Sequence, residues 1–141
     1  MASLVLDCSV TLAWFLPGEG TPRTENLLDQ VADTGALVPS LWPVEVANVL
    51  LTAERKRHIS QAQRVRVLTA LAQLPIEVDA ETAVRSWGTA FDLAIANGLT
   101  LCDALYLELS LRSGLPLATL DHDLCRAAEA AGVTVLGGER A

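Results

Sequence analysis

Residues 3–7 read Ser-Leu-Val-Leu-Asp, a short apolar run that ends on a carboxylate. The run is too short for a helix and has no polar face, so it predicts a strand buried inside a sheet. Four further runs have the same character, at residues 36–39, 76–78, 115–120 and 133–136. The sequence therefore predicts a sheet of four to five short strands.

Longer segments with helical spacing of apolar residues lie between these runs. They cover residues 21–33, 41–57, 60–73, 80–97, 101–112 and 124–131. Glycines that follow three of them, at positions 98, 114 and 132, are typical of helix ends. Apolar strands that alternate with helices indicate a parallel sheet covered on both faces, so we predict an α/β fold, a three-layer α/β/α sandwich with residues 1–141 as one domain.

The composition excludes several classes of protein. Ten Lys and Arg against seventeen Asp and Glu give a net charge of −7, and 51% of the residues are hydrophobic, which is too apolar for a disordered chain. The longest stretches without charge, residues 8–18 and 34–44, are shorter than the roughly 20 residues of a membrane span. No Lys or Arg precedes Asp7, and the three cysteines do not form a disulfide framework. We expect a cytoplasmic protein that does not contact membranes.

Acidic residues stand where this fold would bring strand ends together. Asp7 and Asp121 end predicted strands, whereas Glu45 and Asp103 lie in the first turns of predicted helices. Ligands of open parallel sheets bind beyond the carboxyl ends of the strands, so we expect these four carboxylates to converge there. Carboxylates held close together repel one another unless a cation neutralises them, and their hard oxygen atoms favour Mg²⁺ or Mn²⁺. Such ions activate water and stabilise both oxygens of a phosphodiester displacement.

Each acid also has a structural alternative. Thr100 and Asp103 have the spacing of a capping box, Asp121 is a good N-cap for the helix that follows, and Glu45 belongs to a first helical turn behind Pro43. Asp7 is harder to explain in this way, because a carboxylate at the end of a buried strand needs a partner and the chain contains one lysine.

Four motifs carry a resemblance that covers nearly the whole chain. They are Leu6-Asp7-Cys8-Ser9, Pro43-Val44-Glu45-Val46-Ala47-Asn48-Val49-Leu50, Asp103-Ala104-Leu105-Tyr106 and Ala118-Thr119-Leu120-Asp121-His122-Asp123-Leu124. In this order they resemble PIN-domain ribonucleases, and most of all the VapC-type toxins of bacterial toxin–antitoxin pairs. The resemblance implies a metal-dependent endoribonuclease in which Asp7, Glu45, Asp103 and Asp121 hold Mg²⁺ or Mn²⁺ and act in catalysis.

Several further residues are assigned supporting roles. The resemblance makes Asp123 an additional acid of the site. Ser9 and Thr119 each lie two residues from an aspartate and either orient it, or a bound water, or serve as ordinary capping and strand residues. Asn48 lies one turn after Glu45 and is expected to hold its carboxylate.

Half of the cations are concentrated in one short segment. They are Arg55, Lys56, Arg57, Arg64 and Arg66, which we interpret either as a solvated helix end or as a site for RNA phosphates. The aromatic residues Trp14, Phe15, Trp42, Trp87 and Phe91 are expected in the core or in dimer contacts, and Cys8 and Cys102 as small buried residues. The resemblance also implies a cognate antitoxin protein that covers the acidic site, and we expect a homodimer.

The sequence offers two alternatives to a ribonuclease. A catalytically inactive PIN-fold interaction module would lack an acid, and none of the four is missing. Mg-dependent aspartyl phosphotransfer and receiver-like domains use a lysine that follows a later strand to bind phosphoryl oxygens. The single lysine of this chain, Lys56, lies instead at the end of a predicted helix. The sequence does not identify the RNA target, the number of metal ions, the antitoxin, the geometry of the dimer, or whether Asp123 is a direct ligand.

Overall fold

A computed structural model describes residues 2–138. Five parallel strands form one sheet: β1 (Val5–Leu6), β2 (Ala36–Val38), β3 (Ile76–Val78), β4 (Leu117–Ala118) and β5 (Val135–Leu136). The helices are α1 (Cys8–Phe15), α2 (Pro22–Thr34), α3 (Trp42–Arg55), α4 (Gln61–Ala72), α5 (Thr82–Arg85), α6 (Thr89–Asn97), α7 (Leu101–Ser113) and α8 (His122–Ala130). The predicted α/β class and the parallel sheet are confirmed.

The strand order β3-β2-β1-β4-β5 places the first strand at the centre of the sheet. Val5 pairs with Leu37 of β2 on one side and with Leu117 of β4 on the other. The chain builds outward from β1 through β2 to β3, and then returns across β1 to add β4 and β5. The direction of the connections therefore reverses beside β1, which is where open parallel sheets bind ligands.

The core lies on both faces of the central strand. Residues 4–6 have no exposed surface, and in α7 every residue from 104 to 110 is buried. Because residues 104–110 are enclosed, this part of α7 has no amphipathic pattern, and it includes the buried polar residues Glu108 and Ser110. No single helix among residues 2–138 is long and apolar enough to span a membrane. Helices α6 and α7 would reach that length only as a pair, and they are bent by 115° at their junction.

The structure corrects the predicted elements in two places. Helix α1 was not predicted, since its sequence Cys-Ser-Val-Thr-Leu-Ala-Trp-Phe has no amphipathic period; it is packed by α2 and α3, so neighbours rather than local propensity determine it. The helix predicted over residues 80–97 is instead two helices, α5 and α6. The break covers residues 86–88, and Gly88 is the N-cap residue of α6.

A partly exposed arginine, Arg112, connects α7 to the loop after β3. The Arg112 guanidinium donates two hydrogen bonds to Asp79, at 2.8 and 3.1 Å, and two to Glu108, at 2.8 and 3.0 Å. The hydrogen bonds from Arg112 lower the pKa of Asp79 despite its partial burial. Because Glu108 is buried, this arginine supplies the positive charge that makes its carboxylate tolerable in the core.

Candidate functional site

Asp7 follows β1 directly and is 5% exposed. Its Oδ2 atom accepts hydrogen bonds from Ser9 Oγ at 2.6 Å and from Thr119 Oγ1 at 2.8 Å. Asp7 is also the N-cap residue of α1, yet its side chain makes no capping hydrogen bond, because the carboxylate is held by these two hydroxyls instead. Burial raises the pKa of Asp7, and the charge of Asp121 raises it further; the two hydroxyls oppose this shift.

Backbone amides determine which way the two hydroxyls point. Ser9 Oγ accepts a hydrogen bond from the Leu120 amide at 3.0 Å, and Thr119 Oγ1 accepts one from the Asp121 amide at 3.1 Å. Each hydroxyl carries one proton, so accepting from an amide leaves that proton available for the Asp7 carboxylate. Ser9 and Thr119 therefore orient Asp7, and they also tie the loop after β4 to the end of β1.

Glu45 lies in the first turn of α3 and is half-buried. Its Oε1 atom accepts a 2.6 Å hydrogen bond from the hydroxyl of Tyr106, a fully buried residue of α7. The pKa of Glu45 is raised by burial and, to a lesser extent, by the negative charges of Asp7 and Asp103; the Tyr106 hydrogen bond opposes the shift. Glu45 therefore belongs to the same electrostatic cluster as Asp7.

Asp103 and Asp121 combine helix capping with membership of this cluster. Thr100 Oγ1 accepts a hydrogen bond from the Asp103 amide at 3.2 Å, which is one half of the predicted capping box, and no return bond from the Thr100 amide to the Asp103 side chain is present in residues 2–138. Asp121 Oδ1 accepts a hydrogen bond from the Leu124 amide at 2.9 Å, so Asp121 is the predicted N-cap. Burial raises the pKa of Asp103 to about 6, and the charges of Asp121 and Asp7 contribute. Capping and a place in the acidic cluster are compatible, since the cap of Asp121 occupies only one of its oxygen atoms.

The structure thus places all four predicted acids within electrostatic range of one another. Among residues 2–138, no Lys, Arg or His forms an ion pair with any of the four. In the same described range, no three His, Cys, Asp or Glu side chains are positioned so that they could hold a metal ion as they stand. The chemistry of the donors fits a hard divalent cation, since all are carboxylates with uncompensated charge, but the side chains must move closer to coordinate one.

In the part of the chain that the structure describes, two of the predicted supporting residues, Asn48 and Asp123, do not contact the four acids through hydrogen bonds. Asn48 is exposed and makes no hydrogen bond to Glu45, and Tyr106 occupies the place expected for it. The sequence pattern did not predict a role for Tyr106, which lies one turn after Asp103 and ends the motif that begins with that residue. Asp123 is 66% exposed and pairs with Arg126.

The two thiols near the acids differ from each other. Cys8 is buried as predicted, and burial raises the pKa of its thiol to about 12. Cys102 is exposed, so the prediction that it is buried was wrong. It lies in the first turn of α7, where its neighbour Asp103 faces the cluster and its own side chain faces outward.

Of the predicted RNA-binding cations, Arg55, Lys56 and Arg57 lie at or just after the end of α3 that is farther from the acids, and Arg64 and Arg66 lie in α4. Arg55 follows Glu45 by ten residues, which corresponds to about 15 Å along the helix. Arg55, Lys56, Arg57 and Arg66 are exposed, whereas Arg64 is paired with Glu54. Four of the five are therefore available to bind an anion.

The aromatic residues divide into a core set and a surface set. Trp42 is buried and donates from Nε1 to Thr11 Oγ1 at 3.0 Å, and Trp14 and Phe15 pack against the core. Trp87 is 92% exposed and Phe91 51% exposed. Val84 and Ile95, from the same segment of the chain, are exposed apolar residues as well.

Comparisons with known proteins agree with this architecture. The PIN domain family matches residues 4–130. Ribonuclease VapC3 of Pyrobaculum aerophilum is 29% identical over 121 residues, which are 86% of this chain and 91% of that protein. The crystal structure of PAE2754 from Pyrobaculum aerophilum superposes with a TM-score of 0.67 at 21% identity, over 95% of this chain and 90% of the other. A toxin–antitoxin complex from Klebsiella pneumoniae gives a TM-score of 0.60 at 19% identity, over 96% and 97%.

Proposed function

The chain belongs to the PIN domain family, and on this premise we propose that it is a divalent-metal-dependent endoribonuclease, the toxin of a toxin–antitoxin pair that acts in the cytoplasm. One observation carries the proposal: four carboxylates share the carboxyl-terminal rim of the sheet without a cationic side chain to neutralise them. The similarity to Ribonuclease VapC3 supports RNA as the substrate.

Asp7, Glu45, Asp103 and Asp121 would hold the metal, Mg²⁺ or Mn²⁺. Bound there, a divalent ion supplies Lewis-acid chemistry, polarising the phosphate and lowering the pKa of water. The protein contributes orientation: Ser9 and Thr119 fix the Asp7 carboxylate, and Asp121 is fixed by the start of α8. The raised pKa values mean that protons compete with the cation, so metal affinity should increase with pH.

The chain must also hold a polyanion beside an acidic site. Positive charge is supplied by Arg55, Lys56 and Arg57, which begin about 15 Å along α3 from Glu45, and by Arg66 of α4; we expect these side chains to bind RNA phosphates beside the scissile bond. Hydrolysis by an activated water needs no 2′-hydroxyl nucleophile. The expected products therefore carry a 5′-phosphate and a 3′-hydroxyl.

Two protein partners follow from the surface. A basic antitoxin segment would neutralise the acidic rim and exclude substrate, in line with the similarity to a toxin–antitoxin complex. The exposed apolar side chains of residues 84–95, which are Val84, Trp87, Phe91 and Ile95, support contact with a second copy of the chain, which would form a homodimer.

The test is cleavage of a mixed-sequence RNA by the purified chain in Mg²⁺, by wild type and by Asp7→Asn. This substitution removes one charge at nearly constant volume, and we expect cleavage to fall by at least about 100-fold. EDTA should abolish wild-type cleavage, and added Mn²⁺ should restore it. Circular dichroism of Asp7→Asn checks that the fold is retained. Wild-type rates in a folded Asp7→Asn protein, or cleavage that persists in EDTA, would refute the proposal, and a wild-type chain that binds the metal but cleaves no RNA would favour the inactive interaction module.

A further inference from the structure

We propose that Tyr106 is a positioning residue that fixes the Glu45 carboxylate in the orientation needed to bind the divalent cation, an inference that rests on the proposed function. The assignment depends on one hydrogen bond, on the burial of its donor and on the neutral charge of that donor.

The hydrogen bond joins α3 and α7 through two residues that are 61 positions apart in the sequence. Tyr106 lies in the fully buried part of α7, one turn after Asp103, and its hydroxyl is 2.6 Å from Glu45 Oε1. A glutamate side chain has one more rotatable bond than an aspartate, so it loses more conformational freedom when it is fixed. A tyrosine ring locked in the core is a rigid support that limits this freedom before any metal binds.

The chemistry of the donor matters as much as its position. A lysine or arginine at this point would hold Glu45 equally well, but its charge would cancel part of the field that attracts the cation. The phenol is neutral, and its single proton engages Oε1 while Oε2 keeps its lone pairs for a metal. Ser9 and Thr119 likewise donate hydroxyl hydrogen bonds to one oxygen of Asp7, Oδ2, and leave Oδ1 for a metal. Within residues 2–138, the side chains that orient these two acids are therefore all uncharged hydroxyls.

The experiment compares Tyr106→Phe with Ser110→Ala. Ser110 lies one turn further along α7, is equally buried, and its hydroxyl has no hydrogen-bond partner. Both variants lose one buried oxygen, but only the first loses a contact with the cluster. Isothermal titration with Mn²⁺ at pH 7.5 should show binding about 10-fold weaker for Tyr106→Phe, the lower range for losing a group that orients a metal ligand, and unchanged for Ser110→Ala.

A second measurement needs no variant. Tyr106 is the only tyrosine of the chain, so protein labelled with ¹³C-tyrosine gives one ring signal. Adding Mg²⁺ should shift the ζ-carbon resonance, because the charge on Glu45 Oε1 changes when the carboxylate binds the ion.

The outcomes separate this inference from the proposed function. Wild-type Mn²⁺ affinity in Tyr106→Phe, or a tyrosine signal that ignores Mg²⁺ while the protein binds it, overturns the role of Tyr106 and leaves the metal site standing. If the wild-type chain binds neither Mn²⁺ nor Mg²⁺, the proposed metal site is refuted, and the positioning role of Tyr106 is refuted with it.

Discussion

Replacing Asp103 by Asn should stabilise the metal-free protein while it destroys the proposed activity. Burial and neighbouring charges raise the pKa of Asp103 from 3.8 to about 6. Between these pH values the folded state holds more protons than the unfolded state, so stability falls as the pH rises and the full penalty applies above pH 6. About two pKa units at roughly 1.4 kcal/mol each give a penalty of at most about 3 kcal/mol, which the neutral amide avoids.

The assay is thermal unfolding in EDTA at pH 7.5 and again at pH 4. At pH 7.5 we expect the midpoint of Asp103→Asn to exceed that of wild type by about 3–10 °C. The difference should become small at pH 4, where Asp103 of the folded wild type is protonated. Asp123→Asn is the matched control, because it removes the same charge from a 66% exposed side chain; it should change stability by less than about 0.5 kcal/mol.

Metal should reverse the order of stability. Mn²⁺ at about 1,000 times its dissociation constant stabilises wild type by about 4.1 kcal/mol, which exceeds the penalty of about 3 kcal/mol, and Asp103→Asn should gain far less. If Asp103→Asn in EDTA is no more stable than wild type at pH 7.5, burial beside the other acids does not penalise the Asp103 carboxylate, and the argument for a cation site fails.

Two other perturbations test different parts of the molecule. Arg112→Met leaves the buried Glu108 and the adjacent Asp79 without a counter-charge, so the free energy of unfolding measured in urea should fall by about 3–5 kcal/mol. The control Arg126→Met removes an exposed ion pair and should lower it by less than about 1 kcal/mol. Equal losses would contradict the structural role of Arg112. Replacing Arg55, Lys56 and Arg57 together by Gln should weaken RNA binding and make the dependence of log K on log[salt] shallower by about 2, as measured by fluorescence anisotropy in EDTA. An unchanged salt slope would show that these cations do not contact phosphates.

The sequence predicts the sheet and the acids because both depend on simple patterns. A buried parallel strand is a continuous apolar run, and residues that follow such strands meet at one edge whatever the lengths between them. This is why Asp7 and Asp121 could be assigned to one site from positions more than a hundred residues apart. Thr119 and Ser9 followed from their closeness to these two aspartates.

Other features depend on packing, which the pattern does not contain. Helix α1 has no polar face because α2 and α3 cover it, so it lacks the period by which a surface helix is identified. Asn48 has the correct spacing from Glu45, but it lies on the solvent side of α3, and the partner comes from α7 instead. A contact between two helices far apart in sequence can be found only after their packing is known.

The central position of β1 has a consequence for synthesis of the chain. Strand β1, which directly precedes Asp7, is synthesised before the other strands of the sheet, yet one of its two neighbours, β4, lies more than a hundred residues later, and the Asp7–Thr119 hydrogen bond spans 112 positions. A nascent chain therefore cannot assemble the acidic cluster until β4 has emerged. Any activity that depends on the acidic cluster is therefore delayed until the chain from β1 through β4 has been synthesised.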